Sequence, residues 1–143
     1  MNERVFGHYE REFVSTSTSA LHARNFVADS LRCHDAPDSV VSDYMLVTSE
    51  LATSYIEHRD GTHLTVSVDA TDPLWWVLKV GVGTKPPLPD PLLLPTTWCD
   101  AGPPRTADRG LGVVHHLMDD VVVELQAGQV VTSCRSSRVP QVS

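Results

Sequence analysis

Residues 38–58 read DSVVSDYMLVTSELATSYIEH, and this stretch decides the fold. Val40, Val41, Tyr44, Val47, Thr48, Leu51 and Tyr55 recur at spacings of three and four, which predicts a helix with one continuous apolar stripe. It ends near His58 and Gly61. Downstream, His63 to Ala70 alternates, with Leu64, Val66 and Val68 on one face, and reads as a strand. Asp72-Pro73 turns the chain into a second strand, Leu74 to Val82, and the two are expected to pair as a hairpin. Upstream, Leu21, Phe26, Val27 and Leu31 keep helical spacing behind the capping cluster Ser15 to Ser19. They predict a helix from Ser17 to Arg32, separated from the next by Asp35-Ala36-Pro37-Asp38. Val5 to Ser15 reads as a first strand.

From Gly83 to Arg109 the chain changes character. Seven of the ten prolines fall here (Pro86, Pro87, Pro89, Pro91, Pro95, Pro103 and Pro104), a density that disfavours helix and central strand alike. So long a stretch inside one domain reads as a functional loop or lid. Gly110 to Met118 then reads as a short helix. Val121 to Gln126 and Gln129 to Arg135 read as strands joined at Ala127-Gly128. The order β-α-α-β-β-lid-α-β-β predicts an α/β fold, a two-layer sandwich with the helices on one face of a mixed, mostly antiparallel sheet. One domain is expected over residues 1–135, with a lid at 83–109 and a polar tail at 136–143.

Composition narrows the function classes. The 143 residues are 41% hydrophobic and 20% charged, ordinary for a globular domain. Eleven Lys and Arg against eighteen Asp and Glu give a net charge of −7, which argues against nucleic-acid binding. No apolar run is long enough to span a bilayer, and Met1 to Phe13 lacks the core of a signal peptide. Cys33, Cys99 and Cys134 form no C-x-x-C and no pairable framework, which suits a reducing cytoplasm.

Two clusters carry the chemistry. In Ser49-Glu50-Leu51-Ala52-Thr53-Ser54-Tyr55-Ile56-Glu57-His58, Glu50, Ser54 and His58 lie four residues apart beside the apolar stripe, where polar groups can line a cleft. A carboxylate there could orient a water or hold a metal through one. In Asp108-Arg109-Gly110-Leu111-Gly112-Val113-Val114, a glycine pair opens a helix and presents free backbone N–H groups suited to a phosphate. Each pattern alone is common, and Gly110 and Gly112 could equally serve close helix packing. His115-His116 does not suit zinc, because neighbours on a helix point about 100° apart. Trp75 and Trp76 alternate across a strand, so one faces the core and the other could face a partner, with a core role the default for either. Asp119-Asp120 reads as a solvated turn, and Glu57 as a surface residue.

Taken together, Ser49-Glu50-Leu51-x-Thr53 with His58, a strand hairpin, a proline-rich lid and Arg109-Gly110-Leu111-Gly112 resemble the GHKL ATPase superfamily, closest to the bacterial anti-sigma-factor serine kinases. The resemblance covers Phe13 to Cys134. It implies the Bergerat sandwich, ATP and Mg²⁺ between helices and lid, and Glu50 as base or water-orienting residue. It also implies Ser54, His58, Thr84, Arg109, Gly110, Leu111 and Gly112 as nucleotide-site positions. The implied partners are a sigma factor or a STAS-domain antagonist, and many members are homodimers.

The sequence departs from the family's pattern at linked positions. Ser54 stands where an Asn binds Mg²⁺, and bulky Tyr55 follows where a small residue is usual. Thr84 stands where an Asp reads the adenine amino group. Gly128-Gln129-Val130 replaces a Gly-Lys-Thr whose Thr supports that Asp, and Asp108 stands where a Gly commonly precedes the Arg. A hydroxyl is a shorter Mg²⁺ ligand than an amide, and losing a charged acceptor costs about 1.5–3 kcal/mol. The reading is a degenerate nucleotide site in a regulatory binding protein. Its rivals are an active ATP-dependent serine/threonine kinase with a relaxed site, supported by Glu50 and Arg109 to Gly112, and a structural subunit without a sigma-factor partner.

Overall fold

The structure is a computed structural model and describes residues 7–58, 63–83, 96–98, 111–126 and 128–138, without the side chains of His58, Leu111 and Gln126. Its elements are β1 (His8–Val14), α1 (Ser19–Arg32), α2 (Asp38–His58), β2 (His63–Asp69), β3 (Trp75–Gly83), α3 (Leu111–Leu117), β4 (Asp120–Gln126) and β5 (Gln129–Ser137). The five strands make one sheet in the order β1-β2-β3-β5-β4, with the predicted β2–β3 hairpin at its centre. Every pairing is antiparallel, so the parallel component expected of a mixed sheet does not occur among the described strands.

The two layers meet where the alternation said they would. Leu64, Val66 and Val68 of β2, with Trp76, Leu78, Val80 and Val82 of β3, bury against the α2 stripe of Val41, Tyr44, Val47, Leu51 and Tyr55. Ala23, Val27, Ala28 and Leu31 of α1 complete this core. Two tyrosines three helical turns apart tie α2 to the sheet. The Tyr44 hydroxyl donates to the Trp76 carbonyl at 2.8 Å and accepts from Ser136 Oγ at 2.8 Å. The Tyr55 hydroxyl bonds Thr132 Oγ1 on β5. Thr48 lies in the same stripe and returns its own hydroxyl to the Tyr44 carbonyl at 2.6 Å, so it buries no loose donor.

Local details differ from the sequence expectations. Thr18 is the residue before α1 but makes no side-chain cap. Ser19 does the joining instead: its hydroxyl accepts from the Thr16 N–H at 3.0 Å and donates to the Val14 carbonyl, linking strand end to helix start. Of the pair Asp119-Asp120, read as a solvated turn, Asp119 is an exposed bend but Asp120 opens β4 and is partly buried. Asp119 accepts from the Ser137 N–H at 2.7 Å, and Asp120 accepts from Arg135 Nε at 2.6 Å. Residues 136–138 belong to the fold rather than to a tail, since β5 runs to Ser137 and the Arg138 N–H donates to the Leu74 carbonyl at 2.8 Å. Among the described residues, no helix is long and apolar enough to cross a membrane.

On the face away from the helices, His8 sits 3.6 Å from Asp69 and 3.8 Å from Glu10, distances of ion pairs rather than hydrogen bonds. Those two carboxylates push its pKa up to about 9 against the cost of burial. Burial alone would raise Asp69, but His8 and the bonds from Thr71 overcome it and hold that carboxyl at about 2. The imidazolium contribution is complete below the ordinary histidine value of about 6.5 and disappears as pH rises through about 9. The Asp69 contribution is complete above its ordinary 3.8 and disappears as pH falls through about 2. Thermal unfolding of His8→Gln should therefore lose stability relative to the parent near pH 6 and converge with it above about pH 9. An equal deficit at both pH values would remove the ion pair as its cause.

Candidate functional site

Glu50 and Ser54 project half-buried from α2, one turn apart, flanking the stripe that packs on the sheet. His58 is the last residue of α2, and its side chain lies outside the described set. α3, the helix that opens at Leu111 and Gly112, packs against α2, so the two motif-bearing helices are neighbours. Gly112 is exposed, and among the described residues a Cβ added to it would meet nothing within 4 Å. Thr84, Arg109 and Gly110 lie outside the described residues, as does the Leu111 side chain.

The residue after Ser54 sets the floor of this region. Tyr55 is 6% exposed, with its ring in the core and its hydroxyl on Thr132. The space that a small residue would leave between α2 and β5 is therefore filled by an aromatic ring that also satisfies a buried strand hydroxyl. Thr132 itself was not a sequence candidate. Its bond to Tyr55 spans 77 positions and leaves no local signal. Val130, at the position compared with the family's supporting Thr, is partly buried against the same core and offers no hydroxyl.

Of the proline-rich stretch, Gly83 and Thr96 to Trp98 are described. Gly83 ends β3 beneath Gln129, where a Cβ would come within 2.9 Å of Gln129 Cγ. Thr96 Oγ1 meets Ser133 Oγ at 3.3 Å, and Trp98 stacks on Arg135 at 4.6 Å. Arg135 lies between Trp98 and Trp75, the latter at 4.1 Å. In the strand register Ser133 and Arg135 alternate with the core residue Cys134, so these contacts lie on the sheet face opposite α1 and α2. Trp75 thus faces outward and is covered from within the chain, while Trp76 is the core tryptophan.

For a nucleotide with Mg²⁺, Glu50 and Ser54 offer one carboxylate and one hydroxyl. That is a usable but sparse oxygen set, because Mg²⁺ commonly takes one or two protein carboxylates plus phosphate oxygens and waters. Among the described residues, no three His, Cys, Asp or Glu side chains are grouped to hold a metal. Burial pushes the Cys134 thiol up to about 12, which makes it a core residue and not a nucleophile.

A family model for the histidine kinase-like ATPase domain matches residues 13–134. Among solved structures, the chain is similar to the crystal structure of the RsbU and RsbW domains of Rv1364c from Mycobacterium tuberculosis. That likeness has 15% sequence identity and a TM-score of 0.64, covering 95% of this chain and 34% of the other. At such identity it is a likeness of fold, and this chain spans about a third of that structure's length. No curated relative matches.

Proposed function

We propose, starting from a chain that belongs to the histidine kinase-like ATPase domain family, that it is an anti-sigma-type regulatory protein with weakened or lost ATP binding. In this reading it acts by holding a sigma factor or a STAS-domain antagonist. The observation that carries the proposal is the pair Ser54-Tyr55: a short hydroxyl where Mg²⁺ needs a longer ligand, followed by a tyrosine locked into the core through Thr132. Thr84 and Val130 extend the same pattern, since neither supplies the carboxylate or supporting hydroxyl that adenine recognition uses. Where nucleotide does bind, Glu50 would orient the attacking hydroxyl or a water, Ser54 would face the Mg²⁺, and Arg109 to Gly112 would face the phosphates. Mg²⁺ and ATP would then supply charge neutralisation and the phosphoryl group. A cytoplasmic location and a homodimer belong to the same proposal.

An active serine/threonine kinase is the second reading, and a specific feature favours it. Glu50 is retained on α2, and among the described residues nothing fills the space beside Gly112 on the neighbouring helix. Calorimetric titration with ATP, with and without Mg²⁺, separates the two. The regulatory reading expects no saturation below millimolar ATP. Micromolar binding that needs Mg²⁺, with transfer of labelled phosphate to a STAS-domain protein, would put the kinase first.

A further inference from the structure

At the far side of the sheet from α3, β1 is bonded to β2 alone, and among the described residues no strand lies on its other side. The Ala70 N–H donates to the Gly7 carbonyl at 2.6 Å, and the register runs on from there through Val14 without a bulge. Antiparallel residues bond inward and outward in alternation. Gly7, Tyr9, Arg11 and Phe13 therefore bond toward β2, and the backbone N–H and C=O of His8, Glu10 and Glu12 point to the open edge. β1 contains no proline, lysine or bulge, three of the devices that close an exposed edge.

Beside this edge a cleft of about 570 Å³ runs between β1 and α1. Tyr9, Arg11 and Phe13 form its strand wall, and Asn25, Phe26 and Asp29 its helix wall. Phe13 and Phe26 meet edge to face at 6.3 Å, and the Arg11 guanidinium stands 5.5 Å over Phe13. The opposite face of the strand is acidic. Glu10 and Glu12 are exposed, with His8 at 3.8 Å from the first and His63 at 3.1 Å from the second.

We propose that this edge and cleft bind an extended segment of a partner protein in which basic and apolar residues alternate. The segment adds a sixth strand through the outward backbone groups of His8, Glu10 and Glu12. Residues opposite Tyr9 and Phe13 share their face and enter the cleft, where apolar side chains pack on Phe13 and Phe26. Residues opposite Glu10 and Glu12 fall on the acidic face, where basic side chains pair with carboxylates. The net charge of −7 favours encounter with such a segment. A second copy of β1 paired antiparallel about Arg11 would set Glu10 against Glu12 and Arg11 against Arg11. The proposal does not depend on the nucleotide site.

The test titrates the full chain with a labelled synthetic peptide as long as β1, lysine alternating with valine and phenylalanine, read by fluorescence anisotropy. Three comparisons accompany it: the peptide with glutamate for lysine, the peptide N-methylated on alternate amides, and protein variants Glu10→Lys/Glu12→Lys and Phe26→Ala. The lysine peptide should saturate, and each change should weaken it about tenfold or more, in variants whose melting shows them folded. An N-methylated peptide that binds equally well would reduce the effect to charge attraction and overturn strand addition. So would a lysine peptide that fails to saturate. A homodimer cross-linked through residue 10 would give the edge to a second copy and overturn the proposal as well.

Discussion

Ser54→Asn combined with Thr84→Asp should raise ATP affinity by at least one to two decades. The two changes are expected to act through different parts of the ligand, which makes them separable. Thr84→Asp restores a charged acceptor for the adenine amino group, a bond of about 1.5–3 kcal/mol. Its gain should therefore appear with or without Mg²⁺. Ser54→Asn lengthens the side chain on α2 and replaces a hydroxyl by an amide carbonyl, so its gain should appear only when Mg²⁺ is present. Calorimetry on the single and double variants reads both dependences. If neither variant binds better, the weakness lies elsewhere, and the ring of Tyr55 between α2 and β5 becomes the feature to alter.

Tyr44→Ala should be the most destabilising change in α2. Tyr44 is fully buried, its ring fills the centre of the core, and its hydroxyl joins the Trp76 carbonyl to the Ser136 hydroxyl. Removing the ring costs about 3–5 kcal/mol by analogy with other buried aromatic residues, a large part of the roughly 5–15 kcal/mol that holds a domain together. At roughly 2–4 °C per kcal/mol for a chain near this size, the melting temperature should fall by roughly 6–20 °C. Tyr44→Phe keeps the ring and removes the bonds, so it should cost about 1–2 kcal/mol. A Phe variant as unstable as the Ala variant would assign the stability to the hydrogen bonds rather than to packing.

The contrast between these two residues and Thr132 shows what a sequence can and cannot carry. The α2 stripe and the alternation of β2 are periodic, and periodicity survives in a linear string, so the two-layer sandwich was legible before any coordinates. Strand direction is not periodic, and the antiparallel pairing of every described strand emerged from the register alone. Pairs such as Tyr55 with Thr132, or Asp120 with Arg135, join positions whose partners no local pattern announces. Glu50, Ser54 and Gly112 were candidates because they sit at fixed offsets in motifs, and the structure places their two helices side by side. It was the resemblance, more than the chemistry of those residues, that selected them. The open edge of β1 was not legible, since whether a strand is central or peripheral depends on elements far from it in sequence.

The guanidinium stacking at the end of β5 has an optical consequence. The chain has three tryptophans; Arg135 touches Trp75 and Trp98, and Arg138 stands 4.0 Å over Trp76. Each indole therefore lies beside one of two arginines, Arg135 on β5 or Arg138 just past its end, while α2 and α3 contain no indole at all. A nucleotide arriving between those helices would reach an indole only indirectly, through the core around Trp76 or by moving β5 or residues 96–98. A silent emission titration with ATP is thus no sign of an empty site, whereas an emission change on adding a protein partner reports rearrangement around Arg135 on the far face of the sheet or around Trp76 in the core.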